Sequence, residues 1–197
     1  MRVPPDEFRT LPLEAHAILA DVPLHDVSAV VLPGGGPGRT VPDVRALLPD
    51  GPVRGSSPVV AALFALRLGL GRLLGWDRPQ HAHPEASYLP RVSAAVRARS
   101  LVPPGTVEDG FRVLYVLDGE SLAEIHNATV HAFLCTALRP HPTGHRLYWA
   151  VYVKPTSWLT PIYMAAIEPF RRFVVYPALL RRLRRAWVER YPQPSRA

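Results

Sequence analysis

The chain has 197 residues, 48% of them hydrophobic, and a mean hydropathy of +0.04; this supplies one core of ordinary size and excludes disorder of the whole chain. The net charge of +7 is localised: residues 171–197 hold eight arginines and one glutamate, and residues 1–170 are neutral. A basic footprint spread over the domain, as specific nucleic-acid binders carry, is therefore excluded.

Cys135 is the lone cysteine, so neither an internal disulfide framework nor a cysteine-rich zinc site is available. The N-terminus has early acids and prolines and no apolar core segment, and the longest uncharged stretch, 155–167, is too short to span a bilayer. The expectation is a cytoplasmic protein without a transmembrane segment, monomer or homodimer. It divides into an N-terminal arm (1–24), a single domain (25–191) and a tail (192–197).

In chain order, the proline-rich residues 1–24 read as irregular. His25–Leu32 is valine-rich, bounded by Pro23 and Pro33, and reads as a first strand. The glycine run Gly34–Gly38 lacks the spacing of a phosphate loop or a dinucleotide fingerprint and reads as a connector. Ser57–Trp76 has a capping serine, an early proline and a terminating glycine around an apolar stretch, and is predicted to be a helix. Residues 77–90 read as a solvated loop, and their His81 and His83 have no third ligand nearby, so no metal site is expected.

From residue 110 the period becomes that of strands. Phe111–Leu117, Ser121–Asn127, Thr129–Leu138 and Arg146–Lys154 are predicted as an antiparallel meander, with turns at Asp118-Gly119 and Pro140–Gly144. Ser157–Tyr191 reads as a long helical segment, kinked or divided by Pro161, Pro169 and Pro177. From Tyr176 onward the residues Tyr176, Leu180, Leu183 and Trp187 form one apolar face, with Arg181, Arg184 and Arg185 opposite. The fold class is α+β, with helices packed on one face of a curved antiparallel sheet.

Three blocks occur in order: Phe64-Ala65-Leu66-Arg67-Leu68-Gly69 with Leu74-Gly75-Trp76-Asp77; Glu124-x-x-Asn127-x-Thr129-Val130-His131; and Val153-Lys154-Pro155 followed by Tyr163-Met164-Ala165-Ala166-Ile167-x-Pro169-Phe170-Arg171 and Val175-Tyr176-Pro177. Together they resemble the bacterial domain of unknown function 2867 family over roughly residues 25–190. The resemblance implies a START/Bet v 1-like, helix-grip fold, in which a curved sheet wraps a long C-terminal helix and leaves a cavity between them. The family pattern often carries a second histidine four residues after the first, where this chain has Cys135.

Strand alternation separates Thr129, His131, Phe133, Cys135 and Ala137 from the apolar row beginning at Val130. Asn127 shares the first parity, whereas Glu124 joins that row only if a turn or bulge intervenes. His131 is the leading candidate for acid–base catalysis because its ordinary pKa lies near neutrality; the alternative is a hydrogen-bonded histidine that fixes the sheet. Asn127 and Glu124 complete the candidate catalytic set. Thr129, Phe133, Cys135, Tyr148, Tyr152, Tyr163, Met164 and Phe170 are the candidate substrate-binding residues, with Cys135 also read as a small buried hydrophobe. Arg171 is expected to pair with Glu124 or Glu168.

The function expected is a small-molecule-binding cavity protein for an apolar or aromatic ligand, with no cofactor. Cyclisation, dehydration or isomerisation of the polyketide-cyclase kind is the reaction class considered. The alternatives are a carrier of a lipid-like ligand, or a membrane-surface or partner-binding protein that uses the arginine-rich terminal helix.

Overall fold

The computed structural model describes residues 2–48, 87–126, 130–156, 164–165, 168–169 and 171–192. The predicted helix 57–76, His81, His83, Asn127, Thr129, Tyr163 and Phe170 lie outside the described residues.

The described elements are the short helices α1 (Pro5–Arg9) and α2 (Glu14–Ile18), strand β1 (Leu24–Pro33), helix α3 (Val41–Arg45), helix α4 (Ala94–Arg99), strands β2 (Val107–Glu108), β3 (Phe111–Val116), β4 (Glu120–His126), β5 (Val130–His141) and β6 (Gly144–Pro155), and helix α5 (Tyr176–Arg190). The strands form one curved, antiparallel, six-stranded sheet in the order β1-β6-β5-β4-β3-β2. The four-strand meander is present at the predicted places, and β1 closes its far edge against β6 over nine register pairs. The fold class is α+β.

Two boundaries differ from expectation for local reasons. Residues 1–24 are not irregular: they form α1 and α2, with Pro5 in the first turn of α1, where the absent N–H is not needed. The turn expected at Pro140–Gly144 is tighter, because β5 and β6 pair down to His141↔Gly144. Gly144 has φ +147°, and a Cβ there would stand 2.4 Å from the Leu32 carbonyl oxygen, so the edge of β1 leaves no room for a side chain.

Both faces of the sheet are covered, which corrects the expectation of helices on one face. Residues directly opposite in an antiparallel pair point to the same side. Val27, Tyr148, Ala150, Tyr152, Phe133, Cys135, Leu122 and Tyr115 therefore share one face, and they pack against Phe8, Ala15, Leu19, Tyr88, Val92 and Val96 from α1, α2, α4 and the segment before α4. The opposite face carries Leu147, Trp149, Val151 and Val153 against Leu180, Leu183 and Trp187 of α5. Two buried faces explain why β5 and β6 are apolar along both parities instead of alternating cleanly.

Helix α5 begins where the sequence places a break: Pro177 sits in its first turn, after a π-helical turn at Arg171–Val175. Its Leu180, Leu183 and Trp187 are buried, each such side chain contributing roughly 1.5–3 kcal/mol. Arg171 pairs with neither Glu124 nor Glu168. It meets Asp26 of β1 at 3.0 Å and donates from Nε to the Tyr176 hydroxyl at 2.8 Å, pinning the start of the helix to the edge strand.

Candidate functional site

One end of the sheet gathers the titratable side chains. His126 ends β4, His131 is the second residue of β5, and Lys154 is the penultimate residue of β6; the register places His126 opposite His131 and His131 opposite Lys154. The three therefore lie in one row across three strands, on the face covered by the N-terminal segments.

Glu124 joins this face because the β4–β5 connection intervenes. The hairpin pairs Glu124 with Phe133 and His126 with His131, so even-numbered positions of β4 face the same way as odd-numbered positions of β5. Its Oε2 lies 3.1 Å from His131 Nε2, and both side chains are only 4% exposed. Glu124 also accepts from the Ser87 hydroxyl and, at 3.0 Å, from the Tyr88 backbone N–H. Burial pushes its carboxyl up, but the hydrogen bonds from His131, Ser87 and Tyr88 outweigh burial and hold it below the usual glutamate value. An ionised carboxylate can only accept, so His131 Nε2 carries a proton and donates a hydrogen bond to Glu124.

Aromatic rings surround the imidazole. Phe133 lies beside it with ring centroids 4.4 Å apart, and Tyr88 meets it edge-on at 5.3 Å and packs on Phe133 at 4.6 Å. The far end of Tyr88 is polar: its hydroxyl donates to Asp21 at 3.1 Å and accepts from Lys154 Nζ at 3.0 Å. Arg91 stacks over the Tyr88 ring at 3.8 Å and pairs with Asp21. The Arg91 guanidinium holds the Asp21 carboxyl down at about 2.

Beside this cluster lies a cleft of about 530 Å³, lined by Arg9, His16, Leu19, Asp21, Leu24 and Tyr152 among others. Asp21 lines this cleft and accepts the hydrogen bond of the Tyr88 hydroxyl, which links the cleft to the aromatic cluster around His131. His16 Nδ1 and the Tyr152 hydroxyl are hydrogen-bonded at 3.2 Å within it.

The sequence-predicted site residues divide into three groups. His131, Glu124 and Phe133 come together, with Tyr152 opposite Phe133 in the sheet. Cys135 and Tyr148 share the face but are covered: burial pushes the Cys135 thiol far up, away from nucleophile chemistry, and Tyr148 donates to Glu7 at 2.8 Å. Met164 lies across the sheet with Trp149, Val153 and Leu180, where it cannot meet His131. The polar row thus faces away from α5, so a cavity between sheet and terminal helix does not contain His131.

Ser87, Tyr88 and Asp21 were not legible as site residues. Ser87 and Tyr88 end the stretch read as solvated loop, and the only local signal is an aromatic residue beside the short 3-10 turn Leu89–Arg91. Among the described residues no group of three His, Cys, Asp or Glu side chains could hold a metal ion, and no helix is long and apolar enough to cross a membrane.

The family model of DUF2867, a protein family of unknown function, matches residues 18–178. The chain belongs to the DUF2867 family. The match contains the whole Glu124–His131 hairpin and all six strands, and it ends within the first turn of α5. Curated proteins and solved structures give no significant match to the chain.

Proposed function

We propose that this DUF2867 protein is a small-molecule-binding protein of helix-grip build, whose apolar or aromatic ligand is acted on by the Glu124–His131 pair. The observation that carries the reading is an imidazole oriented by a buried, ionised carboxylate and walled by Tyr88 and Phe133. A carboxylate that fixes the tautomer of a histidine is the usual support for general acid–base work, which contributes about 10²–10⁴-fold to a rate.

The order of elements and the long helix laid across the sheet support the helix-grip assignment. The ligand enters from the cleft that holds His16, Tyr152 and Asp21, the last of which is hydrogen-bonded to the Tyr88 ring that covers His131. The apolar walls Leu19, Leu24 and Tyr152 suit an aromatic body, and Lys154 with Arg9 suits a polar or anionic substituent. His131 takes a proton from a ligand carbon and returns it to a second carbon as the double bond shifts (isomerisation), to a departing hydroxyl that leaves as water as a double bond forms (dehydration), or to a carbonyl oxygen as the carbanion closes a C–C bond on its carbon (cyclisation), with no cofactor.

Native mass spectrometry of the purified chain, followed by binding assays with what copurifies, tests the reading. His131→Gln retains side-chain size and some hydrogen bonding but removes the imidazole. The expected result is a bound apolar species, similar affinity in the variant, and turnover lower by about 10²-fold or more. If His131→Gln changes affinity alone and no turnover exists, the protein is a carrier. If no small molecule binds either protein, the reading fails.

A further inference from the structure

We propose that the exposed face of α5 is a docking surface for anionic lipid membranes. The helix divides its circumference sharply. Leu180, Leu183 and Trp187 are buried against the sheet, while Arg181, Arg184, Arg185 and Val188 follow at i, i+3, i+4 and i+7 on the solvent side. Among the described residues none of Arg172, Arg181, Arg184 and Arg185 meets a carboxylate, whereas Arg171 is neutralised by Asp26. Arg181 uses Nε on the Pro177 carbonyl at 3.0 Å, a bond that stiffens its stem against the helix.

The position of the charge in the whole molecule supports the same surface. Residues 1–170 are neutral and residues 171–197 hold the entire excess of +7, so the protein is strongly polarised and a negative plane orients it with α5 inward. The stripe from Arg181 to Val188 covers roughly 10 Å of a helix that is roughly 22 Å long.

Two apolar side chains stand among these cations. Phe173 is 68% exposed in the π-helical turn, with Arg172 5.2 Å from its ring centroid, and Val188 is 42% exposed within the arginine stripe. A large exposed aromatic beside unpaired arginines matches the acyl–headgroup boundary, where the ring enters and the guanidinium groups hold phosphate or carboxylate. Residues 171–190 contain no Ser, Thr, Asn or Gln, the neutral side chains that share phosphate and base-edge contacts at DNA interfaces, which favours lipid over nucleic acid. Because the apolar side of α5 is already occupied by the sheet, binding is adsorption by charge with Phe173 dipping in, and the helix stays docked.

Vesicle co-sedimentation of the full chain tests this, using phosphatidylcholine alone and phosphatidylcholine with about 30 mol% phosphatidylserine. The expected result is pelleting with the anionic vesicles only, released as salt rises from about 0.05 M to about 0.5 M. Arg181→Gln, Arg184→Gln and Arg185→Gln together weaken it about tenfold or more, with the melting curve of the free protein retained. Phe173→Ala, which leaves the charge unchanged, weakens it about threefold. Equal binding to neutral vesicles, undiminished binding by the triple variant, or unchanged affinity of Phe173→Ala overturns the proposal. So does a short DNA duplex that strips the protein from the vesicles at equal charge concentration, which makes nucleic acid the partner.

Discussion

The indole of Trp187 lies against Gly35: a Cβ built on this glycine would stand 2.8 Å from Trp187 Cζ2. Trp187 is fully buried, its Nε1–H donates to the Pro33 carbonyl at 3.1 Å, and Gly35 has φ +85°. The glycine run is thus a connector with a packing duty, since it lets the end of β1 approach the last turns of α5.

Gly35→Ala is accordingly expected to destabilise the protein by about 2–4 kcal/mol, from left-handed backbone strain together with the clash on the indole. Trp187→Leu relieves the clash while costing core packing, so the double variant loses less than the two single losses added together. Urea denaturation of the three variants measures this. A Gly35→Ala protein as stable as the parent would show that the loop shifts freely and that the contact is not a constraint.

Glu124→Gln is expected to cost about 2 kcal/mol at neutral pH, because the amide replaces an acceptor that serves Ser87, Tyr88 and His131 at once. The carboxyl of Glu124 is held below its ordinary value in the folded protein. Its contribution is therefore present above the ordinary glutamate pKa and is lost as pH falls through the lowered one. The stability gap between parent and variant should narrow in acid, below about pH 4.5. A gap that is constant from neutral pH to the acid limit contradicts the assignment of an ionised Glu124.

Glu120 behaves in the opposite sense. It is buried, burial raises its carboxyl above the ordinary value, and the backbone N–H groups of Glu14 (2.9 Å) and Ala15 and the charge of Arg139 oppose this without cancelling it. Stability from this group is complete below the ordinary glutamate pKa and falls away as pH rises through the raised one. Glu120→Gln keeps an acceptor for the Glu14 N–H and removes a buried charge, so it should stabilise the protein by about 1 kcal/mol at high pH. The gain should disappear toward pH 4, as chemical denaturation across the pH range would show. Destabilisation at every pH would mean that the ionised carboxylate itself is what holds α2.

Much was determined by the sequence alone, where the deciding forces are local. Apolar runs with a β-strand period, the Asp118-Gly119 turn and the proline punctuation placed β1 and the four meander strands to within a few residues. The i, i+3, i+7 spacing of Leu180, Leu183 and Trp187 marked the buried side of α5, and counting charges located the cationic stripe. Tertiary structure decided which face each row meets. Parity says that His131 and Phe133 point together but not toward what, and the answer came from α1, α2 and Tyr88, packed from residues far away in the chain. It also decided the partner of His131: Glu124 has the wrong parity on one continuous strand and the right one across a hairpin, whose register is set by both ends of the turn. Ser87 and Tyr88 reach Glu124 over separations of 37 and 36 residues, a contact stabilised only when the sheet face is already formed and no local period can announce it.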